Sequence, residues 1–331
     1  MDIDSFSAVR EQRWAQLKTL SKRRRLTGAE ADELTRLYQA TAGDLSAVRS
    51  AAPEPGLISR LSVLLAQARV WLTGAHGNAT GDVARFFVAT LPAAMYRVRW
   101  WGVWVSLLVC GFGFLSGWWT YTHPESMDLI GPPEMRAQWA NEEFAAYYTE
   151  YENTSFAARV WTNNAWLALQ CIAFGITGLY PLYLMYGTTL QLGTAGALMA
   201  EADGLHIFFA LIIPHGLLEL SAVFVACGAG LRLFWVMLVP GARTRGAALA
   251  EEGRATFAVG IGLAIALFLS GLIEGFVTPS TMPWWLKIVI GAIACIAFWA
   301  YIFVAGRVAR SEGATGDVEG DFATASAPIA A

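Results

Sequence analysis

The chain has 331 residues, of which 56% are apolar, 13% aromatic and 15% charged, with a mean hydropathy of +0.45 and a formal net charge of -3. Soluble domains average about half apolar and about a quarter charged. The balance therefore points to a membrane protein and excludes a disordered chain, a disulfide scaffold and a nucleic-acid binder defined by net charge.

Residues 1–99 carry fourteen of the twenty-three Lys and Arg but only nine of the twenty-six acids, with Lys22, Arg23, Arg24 and Arg25 as the densest run. Lys and Arg flanking a first span are retained on the cytoplasmic side, so this block is expected there. Trp14, Leu17 and Leu20, then Leu34, Leu37, Tyr38, Leu45 and Val48, then Leu57, Leu61, Leu64, Leu65 and Val70 recur at helical spacing among charged residues. They predict a small cytoplasmic helical bundle. Thr27 to Glu30 has the form of a capping box, and Pro53 and Pro55 separate the second helix from the third. Gly81 to Trp101 mixes Phe86, Phe87, Leu91 and Met95 with Arg85, Arg97 and Arg99 and reads as an amphipathic helix lying in the interface. No short apolar region follows a basic start, so no signal peptide is expected and the first span serves as its own insertion signal.

A bilayer core of about 30 Å needs about 20 apolar helical residues. Clear spans are Val103–Tyr121, Trp161–Tyr186, Thr256–Phe276 and Trp284–Gly306. The polar stretch 122–160, with seven acids and two arginines, is expected outside. Between 187 and 239 an even number of crossings keeps Arg243, Arg245 and Arg254 inside. That solution is a short span at Gly187–Ala200, an outer turn at Glu201 to Gly204, and a long return from Leu205 to Val239. Pro214 followed by Gly216 predicts a kinked or broken helix there. The expected fold is thus all-α, a polytopic transmembrane bundle of about six segments, with five as the alternative count. It divides into residues 1–99, the membrane domain 100–306, and a solvated tail 307–331, with both termini cytoplasmic. The GxxxG pairs Gly113/Gly117 and Gly271/Gly275 permit close helix contacts within one chain or in a homo-oligomer. Cys110, Cys171, Cys227 and Cys295 each sit alone in an apolar stretch and read as small fillers.

Ionisable residues inside a span are costly and define the candidate site. His215 and Glu219 are four residues apart and can meet on one helix face. Glu274 lies near the outer end of its span, and Asn163 with Asn164 begins the second span. These five residues are expected to form a polar cluster in the outer half of the membrane, with Pro214 and Gly216 supplying irregular backbone. Three uses remain open: pinning the helix kink, a proton or ion pathway along the carboxylates, and metal hydrolysis. HExxH, P-loop, dinucleotide and serine-nucleophile motifs are all absent, so no catalytic residue, cofactor or resident metal is implied. Nucleic acid is not an expected partner.

Asn163-Asn164, the glycine-rich stretch from Tyr186-Gly187 to Gly196, Pro214-His215-Gly216-Leu217-Leu218-Glu219-Leu220, Ala229-Gly230-Leu231 and Ile273-Glu274-Gly275 together resemble the stage II sporulation protein M family. The resemblance covers about residues 1–306, and Pro-His-Gly-x-x-Glu is its most specific feature. Two departures stand out: family members often have Asn-Gly at Tyr186-Gly187 and Glu-Leu-Pro-Ala at Glu219-Leu220-Ser221-Ala222. The resemblance implies a non-enzymatic scaffold of the cytoplasmic membrane that docks other membrane or envelope proteins. Its founding member localises peptidoglycan-degrading partners during sporulation, and relatives are encoded near MoxR-type ATPases and von Willebrand factor A-like proteins. A transporter or channel using the intramembrane carboxylates is the alternative.

Overall fold

The computed structural model describes residues 3–23, 26–51, 54–72, 79–147 and 152–318, and among these all regular structure is helical. Arg24, Arg25 and the tail beyond 318 lie outside the described residues. The chain divides into two compact units, the first drawn from Met1–Ala84 and the second from Arg85–Asp321.

The first unit packs α1 (Ile3–Ser21), α2 (Gly28–Ala51) and α3 (Pro55–Leu72) against one another. Trp14, Leu17, Leu34, Leu37, Val48 and Leu61 are fully buried at its centre. The Trp14 indole donates to Asp44 Oδ2 at 2.9 Å, and Arg10 donates to Oδ1 at 3.1 Å, which satisfies the one carboxylate drawn into this core. The capping box at α2 forms as spelled: the Thr27 backbone N–H donates to Glu30 Oε2 at 2.8 Å, and the Glu30 N–H donates to Thr27 Oγ1. The same backbone donor holds the Glu30 carboxyl below the usual carboxylate range.

The second unit begins at Arg85, the last residue of α4 (Ala79–Arg85), and continues through a π-helical turn at Phe86–Thr90, just ahead of Pro92, into α5 (Leu91–Thr122). The expected interfacial helix at Gly81–Trp101 is therefore the opening of the first long helix. Its residues Leu91, Ala94, Met95 and Val98 are buried in the bundle, so that face is packing surface and not a membrane-lying stripe. Three short helices follow, α6 (Pro124–Asp128), α7 (Pro133–Gln138) and α8 (Phe144–Ala146). Then come α9 (Asn153–Ala173), α10 (Leu179–Glu201), α11 (Leu205–Leu238), α12 (Arg245–Leu272), α13 (Trp284–Ala300) and α14 (Gly306–Ser311).

Among the described residues, α5, α9, α10, α11, α12 and α13 alternate in direction between two ends of this bundle. Gly113 and Gly117 face Thr189 and Gly193, so α10 runs parallel to α5, whereas His215 to Ser270 and Arg232 to Glu252 set α11 against α12. We call the end bearing residues 122–147 the loop end and the opposite one the charged end. Among the described residues, four helical stretches are long and apolar enough to cross a membrane: Thr80–Thr122, Leu205–Leu238, Arg245–Val277 and Trp284–Ser311.

Three expectations are corrected here. The single span from Trp161 to Tyr186 is two helices, because the chain turns at Gly175–Thr177 and Gly178, where φ is +71° and a side chain would be strained. Gly187–Ala200 is accordingly the far part of α10 and not a short span of its own. Next, α11 is continuous through Pro214. The helix is therefore not broken there, although proline removes one intrahelical donor, and Gly291 of α13 packs its backbone close against the Pro214 carbonyl. Last, the tail is not solvated from Ser311 onward. Arg254 grips Asp317 through two contacts of 2.6 Å, Arg97 donates to the Thr315 carbonyl, and Val318 packs on the core.

Both GxxxG faces are consumed within the chain. A Cβ on Gly117 would lie 2.9 Å from the Gly193 carbonyl oxygen, and one on Gly275 would lie 2.7 Å from the Ala157 Cβ. A Cβ on Gly228 would meet the Gly102 backbone nitrogen at 2.7 Å, whereas one on Gly187 meets nothing within 4 Å. Gly228→Ala is therefore expected to destabilise the bundle by about 1–3 kcal/mol. Gly187→Ala should instead gain up to about 1 kcal/mol of helix propensity. Thermal unfolding in detergent checks the opposite signs.

Candidate functional site

Consecutive helical residues point about 100° apart, so one face of α11 and one of α12 must supply any polar centre between them. His215 is 5% exposed; its Nδ1 lies 3.3 Å from Thr278 Oγ1 and its Nε2 lies 3.7 Å from Glu274 Oε1. The helix thus directs His215 toward the next helix, where the sequence alone had suggested its own-helix neighbour Glu219. The Ser270 hydroxyl donates to the His215 carbonyl at 3.1 Å and lies 3.5 Å from Glu219 Oε2. Asn164 of α9 also reaches the Glu219 carboxylate.

Glu274 is 4% exposed and sits in a π-helical turn, Ile273–Val277, which widens the helix at that point. Its Oε2 has no hydrogen-bond partner among the described residues. At the loop end Lys287 of α13 donates to the Thr278 carbonyl at 2.6 Å, closing the cluster from above. Four of the five expected residues, Asn164, His215, Glu219 and Glu274, are brought together. Asn163 is not: it follows the helix rotation out to an exposed face with Trp166 and Gln170, because adjacent helical positions cannot share one direction. Pro214 and Gly216 are buried in a helix that continues through both, so neither marks a break. Among the described residues, no three His, Cys, Asp or Glu converge as a metal-ligand set.

Ser270, Thr278 and Lys287 were missed because an isolated hydroxyl or end-of-helix lysine carries no pattern of its own. A second centre was missed at the charged end. Glu252 is 1% exposed and accepts from Arg232 Nε at 2.5 Å and Arg97 Nη2 at 2.8 Å, while Arg232 also donates to the Arg97 carbonyl. Glu251 accepts from Arg97 at 3.0 Å and pairs with Arg243. Arg232, an arginine standing in the long apolar run Leu205–Leu238, was the available signal. This network ties α5, α11 and α12 together. A third anchor lies at the loop end, where Arg136 is 6% exposed, holds Glu201 at 2.8 and 2.9 Å, and donates to the Gly131 carbonyl at 2.7 Å.

A family model described as Stage II sporulation protein M matches residues 106–279, which contain the whole His215–Glu274 cluster. Another, described as a domain of unknown function (DUF8413), matches residues 4–74, the three helices of the first unit. No curated protein and no solved structure matches the chain.

Removing one partner of a buried ion pair strands the others without compensation. Glu252→Ala is therefore expected to cost about 3–5 kcal/mol. Glu251→Ala, whose side chain is 30% exposed, should cost less than about 1 kcal/mol. Unfolding by denaturant in mixed micelles gives both values.

Proposed function

The chain belongs to the stage II sporulation protein M family, and from that premise we propose that it is a non-enzymatic multi-pass scaffold of the cytoplasmic membrane, docking envelope proteins. The observation that carries this reading is the separate first unit, a three-helix bundle with its own closed core and its own family model, attached to a bundle of membrane helices. A domain with its own apolar core presents a rigid outer surface to partners without drawing on the membrane part for stability.

In this reading α5, α9, α10, α11, α12 and α13 make six crossings. Arg97, Arg99, Arg232, Arg243, Arg245 and Arg254 gather at the charged end, and Glu125, Asp128, Glu134, Glu142 and Glu143 at the loop end. Positive charge is retained inside, so the charged end, the first unit and both termini are cytoplasmic. The three short helices pinned by Arg136 then form the external docking surface. Peptidoglycan hydrolases are the partner class proposed outside, and MoxR-type ATPase systems the class proposed inside. The His215–Glu274 cluster serves to fix α11 against α12.

The test is affinity purification from native membranes, comparing the wild type with Trp14→Ala. Loss of that indole should cost the first unit about 3–5 kcal/mol. Cytoplasmic partners are expected to disappear while external ones remain. A wild type that purifies alone overturns the scaffold.

One observation favours a second reading, transport of protons or small cations: a buried carboxylate oxygen on Glu274 with no partner among the described residues, beside Glu219. It predicts flux in proteoliposomes that a pH gradient drives and that Glu274→Gln abolishes. Flux no greater than that of empty vesicles removes it.

A further inference from the structure

Of the six long helices, α9 and α10 are the two that lack an apolar stretch of spanning quality. The reason is where their polar residues lie. On α10, Tyr183, Thr188, Gln191 and Thr194 occupy neighbouring turns of one side, and on α9 Asn163 and Gln170 are two turns apart on one side. Both sets face the same surface of the bundle. They line two recesses of about 1150 and 450 Å³ that share Thr188 and Gln191. The larger opens beneath the loop-end helices, with Arg136, Trp139 and Glu143 at its mouth. The smaller continues from Gln191 past Asn163 to Gln170 and Tyr183, near the charged end of both helices.

Together the recesses form one furrow along the α9–α10 surface. Tyr183 and Thr194 are eleven residues apart on α10, roughly 17 Å along the helix axis, and Tyr183 is four residues from its start. The polar positions, set among apolar ones, therefore cover a little more than half of the roughly 30 Å thickness of a hydrocarbon core. Asn163 and Gln191 are exposed along it. At that depth an amide facing acyl chains costs several kcal/mol unless a polar group reaches it. Lipid tails cannot supply one. The headgroups of the same lipids can, when they leave the interface and enter the furrow while their chains stay in the bilayer.

We propose that this furrow is a track for phospholipid headgroups and that the protein allows lipids to pass between leaflets. Its rungs, Tyr183, Gln170, Asn163, Thr188, Gln191 and Thr194, are donors and acceptors without fixed charge. They complement the phosphate and ammonium groups of a headgroup in turn without trapping either. Passage requires sites favourable enough to enter and weak enough to leave, and a line of neutral hydrogen-bonding side chains meets both conditions. The charged mouth pairs Arg136 with Glu201 internally, so it is not a fixed anion site. This inference rests on the six-crossing arrangement proposed above and is independent of the docking function: partners can be present or absent with the furrow unchanged.

The test uses the full-length protein in vesicles of phosphatidylethanolamine and phosphatidylglycerol with a trace of headgroup-labelled lipid that external dithionite bleaches. In protein-free vesicles only the outer leaflet is bleached. With the wild type, bleaching is expected to proceed to near completion. Gln191→Leu and Asn163→Leu are expected to slow the second phase by about tenfold each, through loss of a hydrogen-bonding rung. Gln191→Asn, which keeps the amide, should restore it. Both positions face outward, and a monodisperse elution profile confirms that each variant is folded. Bleaching that stops at the outer leaflet with the wild type overturns the proposal, as does passage that neither leucine variant slows. Disulfide-linked dimers from Asn163→Cys, with no lipid passage, would assign the furrow to a contact between two copies and equally overturn it.

Discussion

The bundle depends on one helix that is buried on every side. From Ser221 to Gly230 each residue of α11 is buried, and α5, α9, α12 and α13 all pack on it. Between helices in lipid the hydrophobic effect contributes little, since acyl chains are as apolar as leucine, and attraction comes from close packing and polar contacts. A helix surrounded in this way must therefore let backbones approach. Gly228 against Gly102, Gly230 against Cys171 and Gly175, and Gly291 against the Pro214 carbonyl provide that approach at three levels along its length. Without those small residues the surrounding helices could not all contact the same axis.

Charge closes both ends of this packing. Arg232 and Arg97 converge on Glu252 where α11 leaves the bundle, and Arg254 ties Asp317 of the C-terminal segment to the same region. At the other end Arg136 of α7 joins α6, through Met127 and Asp128, to the last turn of α10, through Glu201. Between the ends, the cluster of His215, Glu219, Ser270, Glu274 and Thr278 locks α11 to α12 by contacts that only the two helices together can make. The clusters around Glu252 and around His215 and Glu274 thus lie on the seams of one central helix, whereas the α9–α10 furrow faces outward.

Much of this was legible in the chain. Helical periodicity located the three-helix unit and its core because charged residues on the opposite faces sharpen the contrast, and the capping box at Thr27 and Glu30 is a local device that needs no tertiary partner. The intramembrane acids and His215 were visible as costly residues in apolar surroundings. Arg232 was equally visible, but its acidic partner Glu252 lies in another helix, which no local pattern marks. The turn at Gly175–Gly178 was missed because apolar residues continue through it, Phe174, Ile176 and Leu179 being exposed there, and hydropathy does not mark a change of chain direction.

By itself, the sequence determined that the protein is helical, that it lives in a membrane and which side chains pay for burial there, since these follow from composition and local spacing. Only the tertiary structure decided where those side chains go. It turned Asn164 and not Asn163 toward Glu219, brought His215 to Glu274 and Thr278, and kept α11 continuous through Pro214 with Gly291 packed against it. Each of these depends on which residue of another helix stands opposite, and that distance is not written in any local pattern.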